Sequence, residues 1–67
     1  EKMDLYELGK QYLEISKELR IKIADLNENS KKLKGNELIY MKRRIYSLYA
    51  DALSCRRIAE KLMNYYK

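Results

Sequence analysis

The chain has no histidine, no proline, no phenylalanine and no tryptophan. It has one cysteine and two glycines. Each scarcity narrows what 67 residues can be. A lone Cys55 cannot form an internal disulfide, and it fits a reducing cytoplasm better than a secreted, cross-linked scaffold. Without histidine, one thiol cannot assemble the sulfur and nitrogen set that zinc prefers, so no metal or other cofactor is expected. The same lack leaves Cys55 with no imidazole base, so it is not expected to be a nucleophile. No apolar run reaches the 18 residues or more of a membrane-crossing helix. No charged segment followed by an apolar run and a small-residue cleavage site is found, so no signal peptide is expected either. Glu1-Lys2 ahead of Met3 reads as an addition before a natural start at Met3.

The residues present are those of long helices. Charged residues make up 37% of the chain and hydrophobic ones 46%, too apolar a mixture for a disordered segment. All seven aromatics are tyrosine. The net charge of +5 is unevenly spread. Residues 1–29 hold seven acids and five bases, whereas residues 30–67 hold three acids and ten bases.

Asp4 with Glu7 three residues on has the spacing of a capping box and predicts a helix from Leu5. Leu5, Tyr12, Leu19, Leu26 and Leu33 then recur every seven residues, with Leu8 and Ile15 interleaved. The next interleaved positions, Lys22 and Asn29, are polar, and Ile23 stands beside Lys22 as its replacement. The stripe weakens toward Asn27-Glu28-Asn29-Ser30, where the helix is expected to fray or bend. Lys34-Gly35-Asn36 reads as the turn, with Gly35 ending the first helix in a left-handed conformation and Asn36 capping the second. Lys31, Lys32 and Lys34 fall at the negative end of the first helix dipole. In the second stretch Leu38, Ile45, Ala52, Ala59 and Tyr66 recur every seven residues, interleaved with Met41, Leu48, Cys55 and Leu62. Nine seam positions without a charge mark a helix packed against helices.

The expected fold is all-α: one domain over residues 1–67, an antiparallel two-helix hairpin with a helix over about 5–32, a turn over about 33–36 and a helix over about 37–66. Folding the stripes back on each other sets Tyr12 against Ala59, Leu19 against Ala52 and Ile15 against Cys55, large against small.

The apolar arc is wider than one facing helix covers. Beyond the seams lie Ile39, Tyr46, Tyr49, Leu53, Ile58, Met63 and Tyr65 on the second helix, and Tyr6, Leu13 and Ile21 on the first. Chains below about 70–80 residues commonly need disulfides, a metal or oligomerisation, and here oligomerisation is the one left. The reading is a homodimer, two hairpins docked as a four-helix bundle, with Tyr6, Leu13, Tyr46, Tyr49, Leu53 and Met63 at the interface. Burying those six at about 1.5–3 kcal/mol each contributes roughly 9–18 kcal/mol per chain before the entropy of association. A different protein meeting the same arc is the variant of this reading. Glu14 with Lys10 or Lys17, and Glu18 with Lys22, read as surface ion pairs rather than as acid/base machinery.

The basic residues of the second helix, Lys42, Arg43, Arg44, Arg56 and Arg57, carry the alternative. Basic side chains with interleaved tyrosines can track a phosphate backbone, which makes a small nucleic-acid-associated protein the second reading. Their plainer roles are a solvated face or interface contacts, with Arg56 stacked on Tyr49. Salt-dependent binding to mixed-sequence DNA or RNA, abolished by Arg43→Glu with Arg57→Glu, separates the two. A membrane-surface helix fits less well, because the Ala52–Cys55–Ala59 seam and the matching first helix call for protein packing.

The stretches Leu5-Tyr6-Glu7-Leu8-Gly9-Lys10-Gln11-Tyr12-Leu13 and Arg43-Arg44-Ile45-Tyr46-Ser47-Leu48-Tyr49, with Cys55-Arg56 and Tyr65-Tyr66, resemble small uncharacterised two-helix proteins of clostridia-like bacteria. The resemblance implies an intracellular bacterial hairpin and brings no activity and no site residue.

Overall fold

In a computed structural model of the chain, which describes residues 4–65, two helices pack along each other. Helix α1 spans Leu5–Ser30 and helix α2 spans Asn36–Met63. The hairpin is a rod of 49 × 18 × 16 Å. No described residue is in a strand. Tyr66, the last expected seam position, lies outside the described residues, as do Met3 and the two residues before it.

The start of α1 follows from Asp4. Its backbone is extended, and its Oδ1 accepts a hydrogen bond from the Glu7 backbone N–H at 2.7 Å. That bond satisfies one of the four amide donors that every helix leaves free at its N-terminus. Asp4→Ala removes it and is expected to cost about 1 kcal/mol. Urea denaturation followed by circular dichroism checks this, and an unmoved midpoint would show that the cap contributes nothing.

The far end of α1 differs from expectation. The helix stops at Ser30, and the fraying comes just beyond the polar run instead of inside it. Lys31, Lys32 and Leu33 donate to the carbonyls of Glu28, Asn29 and Ser30 at 3.3, 3.2 and 3.0 Å, the tighter i→i−3 pattern in which helices commonly unwind. The Ser30 hydroxyl donates to the Asn27 carbonyl at 2.7 Å. Lys31 pairs with Glu28 at 3.1 Å with both side chains largely exposed, where such a pair adds little. Gly35 does not terminate α1. It stands at the start of α2 with φ +62° and ψ −136°, a combination that side-chain-bearing residues avoid. Its carbonyl accepts from the Ile39 N–H at 3.2 Å. Asn36 is therefore the first residue of α2 and not its cap.

The connection is longer than expected, Lys31 through Gly35. Ser16 is set against Ala52, donating its hydroxyl to the Ala52 carbonyl at 3.0 Å. Gly9 is set against Ala59: a Cβ at Gly9 would lie 3.0 Å from the Ala59 carbonyl oxygen and 2.5 Å from Met63 Cγ. At these two places small residues meet the Ala52 and Ala59 carbonyls, a close approach that the expected pairing of large against small did not include. With no side chain at Gly9 and one methyl at Ala59, the backbones themselves come into contact. The seam of α1 is correspondingly rotated by one residue. Its interleaved positions are Gly9, Ser16, Ile23 and Ser30 in place of Leu8, Ile15, Lys22 and Asn29. Ile15, expected opposite Cys55, is 44% exposed. Ile23, named as the replacement for Lys22, is buried.

On α2 the seam lies where periodicity put it. Ala52 and Ala59 are buried, and Leu38, Met41, Ile45, Leu48, Cys55 and Leu62 are half-buried. The buried core is consequently very small: Gly9, Ser16, Ile23, Ala52 and Ala59. Ser16 is tolerated there because its hydroxyl is bonded across the seam.

Candidate interaction surface

Residues seven apart in a packed helix share a face, because seven residues make close to two turns. Beside the α1 seam, Tyr6, Leu13 and Arg20 form one flank, and Leu8, Ile15 and Lys22 form the other. Beside the α2 seam, the flanks are Lys42, Tyr49, Arg56 and Met63, and Arg44, Asp51, Ile58 and Tyr65. Two contacts decide which flanks share a side of the hairpin. Met63 reaches over Gly9. Arg56 lines one cleft with Leu13, Ser16, Lys17 and Arg20. The first-named flanks of both helices therefore lie on one side, and Ile39, Tyr46 and Leu53 continue that side around α2.

All six residues expected at an interface fall on this side. Tyr6 and Tyr49 are about half exposed, and Tyr46 is 77% exposed. Leu13, Leu53 and Met63 are half-buried already, so covering them yields less than the full-burial figure assumed from sequence. The Tyr6 ring carries the Lys10 ammonium 5.5 Å from its centroid. Among the described residues this is the cation–π contact that forms, in place of Arg56 on Tyr49. The second side is less continuous. Ile15, Ile58 and Tyr65 are exposed there, among Lys22, Arg44 and Asp51.

The basic residues divide among several faces. Arg43 and Arg57 share the face opposite the seam, Lys42 and Arg56 share the apolar side, and Arg44 lies on the far flank. All five are exposed, so the expected basic stripe is a fan around α2. The ion pairs expected of Glu14 and Glu18 do not form; among the described residues the pair present is Lys31–Glu28. The entropy that long exposed side chains lose in pairing offsets most of the Coulomb attraction in water, so such pairs are worth about 0–1 kcal/mol.

Sequence reasoning missed Gly9, Ser16, Lys17 and Arg20. The first two carry a signal, since Gly9, Ser16, Ile23 and Ser30 are spaced by seven, but glycine and serine are invisible to a search for apolar periodicity. Lys17 and Arg20 stand three apart on α1 and look like ordinary surface charges until α2 brings Arg56 beside them.

No protein-family model matches the chain, and no curated protein and no solved structure is similar to it. The surface itself must carry the functional reading. No described helix is long and apolar enough to cross a membrane.

Proposed function

We propose that the chain is a non-enzymatic helical interaction module that self-associates, two hairpins docking through the Tyr6–Leu13–Tyr49–Leu53–Met63 side to make a four-helix bundle. The observation that carries this is the amount of surface left open. The accessible surface is 5763 Å², whereas a compact protein of 8.1 kDa exposes about 4,500 Å². The excess of about 1,300 Å² is more than the roughly 800 Å² that each partner buries in an interface of standard size. It arises because two helices make a rod, with a core too thin to absorb the tyrosines and leucines beside the seam. A second hairpin laid on the same side supplies the missing layer, and the flanking positions of both helices then become the core of the bundle. The lone, half-buried Cys55 suits the reducing cytoplasm in which this module would work.

Sedimentation velocity across a wide concentration range at physiological salt tests the proposal. The expected species has twice the 8.1 kDa chain mass. A folded monomer at every concentration overturns self-association and turns attention to a different helical protein for the same side.

A further inference from the structure

The side proposed for self-association has a charge imbalance. Lys10, Lys17, Arg20, Lys42 and Arg56 lie on it or at its margin, against two carboxylates, Glu60 and, beside Lys10 and Lys17, Glu14. Three of these cations border one cleft. Lys17 and Arg20 from α1 and Arg56 from α2 line a single cleft of about 250 Å³, with Leu13 and Ser16 as its remaining walls. Glu14, three residues before Lys17, and Glu60, four residues after Arg56, are the acids placed by helix geometry to answer them. Neither does so, and none of the three cations has a carboxylate within ion-pair distance among the described residues. The Ser16 hydroxyl donates to Ala52, so its proton is committed to the seam. Leu13 and the aliphatic stems make the walls largely apolar, and the charged groups on the cleft are all donors, with no carboxylate among its lining residues.

We propose that this cleft binds a small phosphate-class oxyanion, held by the Arg20 and Arg56 guanidinium groups with Lys17 completing the charge. Guanidinium forks match the tetrahedral oxygens of phosphate in paired, charge-assisted hydrogen bonds, and an ammonium adds a mobile third donor. The size agrees: the cleft, at about 250 Å³, is below the roughly 300–1,000 Å³ of pockets that enclose drug-sized ligands and has room for an ion. Binding also has a consequence for assembly, which rests on the self-association proposed above. Docking two such sides brings six of these cations together, and an anion in each cleft removes that repulsion. The binding itself needs one hairpin only.

The test is a titration of the ¹⁵N-labelled full chain with inorganic phosphate and then pyrophosphate, at ionic strength matched with sodium chloride. The expected result is saturable shifts of the Leu13, Ser16, Lys17, Arg20 and Arg56 amides, beyond those from chloride. Arg20→Gln with Arg56→Gln, both exposed and both replaced by a good helix former, is expected to weaken binding roughly tenfold or more. Arg43→Gln with Arg57→Gln on the outer face is expected to leave it intact. Shifts no larger than those from chloride overturn the site, and so does equal loss in the outer-face variant. Sedimentation of the same samples separates the two proposals. Dimers without the shifts overturn the anion site alone, and shifts on a persistent monomer overturn self-association alone.

Discussion

Ala59→Leu is expected to abolish cooperative folding of the hairpin. Ala59 is completely buried, and its carbonyl lies where a single added carbon on Gly9 would be 3.0 Å away. A leucine there has no void to enter, so the helices must separate over the Gly9–Ala59 end. Overpacking a tight site costs about 1–3 kcal/mol and occasionally more. In a large protein that is survivable. Here the buried apolar side chains are Ile23, Ala52 and Ala59, and the separated helices would also weaken the Ser16 bond to Ala52. A core this small has little stability in reserve. Thermal melting by far-ultraviolet circular dichroism should show a broad, low-temperature loss of helix. Ala50→Leu is the matched control, because Ala50 is exposed on the face opposite the seam and should tolerate the change to within about 0.5 kcal/mol. If Ala59→Leu and Ala50→Leu melt alike, the close helix approach is not what holds the hairpin.

Leu53→Asp is expected to convert the proposed dimer to a monomer while leaving each hairpin helical. Leu53 is half-buried and lies outside the seam, on the continuation of the apolar side around α2. Aspartate there can face water in one hairpin, so the fold loses a modest helix propensity, about 0.5 kcal/mol, together with the partial burial of one leucine, about 1 kcal/mol. In a docked pair the carboxylate would be enclosed among Tyr46, Tyr49 and the partner's apolar side; Arg56, three residues on, can offset part of the burial cost of several kcal/mol, and the lost leucine packing is not recovered. The two-fold relation of a symmetric dimer applies that cost twice. Sedimentation velocity should therefore report half the mass at micromolar concentration, with the helical spectrum retained. An unchanged mass would move the interface elsewhere, and the side bearing Ile15, Ile58 and Tyr65 would be the next to test.

Both predictions draw on features of unequal visibility in the sequence. The α2 seam was legible in full over its described length, because Leu38, Met41, Ile45, Leu48, Ala52, Cys55, Ala59 and Leu62 are all apolar and charge is excluded from them. The α1 seam was half legible. Leu5, Tyr12, Leu19 and Leu26 announced themselves, whereas Gly9 and Ser16 did not, since their value lies in the volume they leave empty. Leu8 and Ile15 drew the pattern one residue aside. They are apolar at a competing period, and only the facing helix distinguishes a flank from a seam.

What the sequence by itself determined is the pair of helices, their antiparallel return and the surplus of apolar side chains beside the seams. Periodicity, the Asp4 cap and the punctuation near Gly35 are local properties, and local properties can be read without coordinates. Tertiary structure decided the rest. It set the register through a five-residue connection that no propensity resolves to one residue. It chose which two flanks share a side. It also assembled Lys17, Arg20 and Arg56 on one cleft from positions separated by more than half the chain. The reason in each case is the same: these features depend on the rotation and offset of one helix against the other. Those two variables are set by the contact of Gly9 with Ala59 and Ser16 with Ala52, and they do not exist in either helix alone.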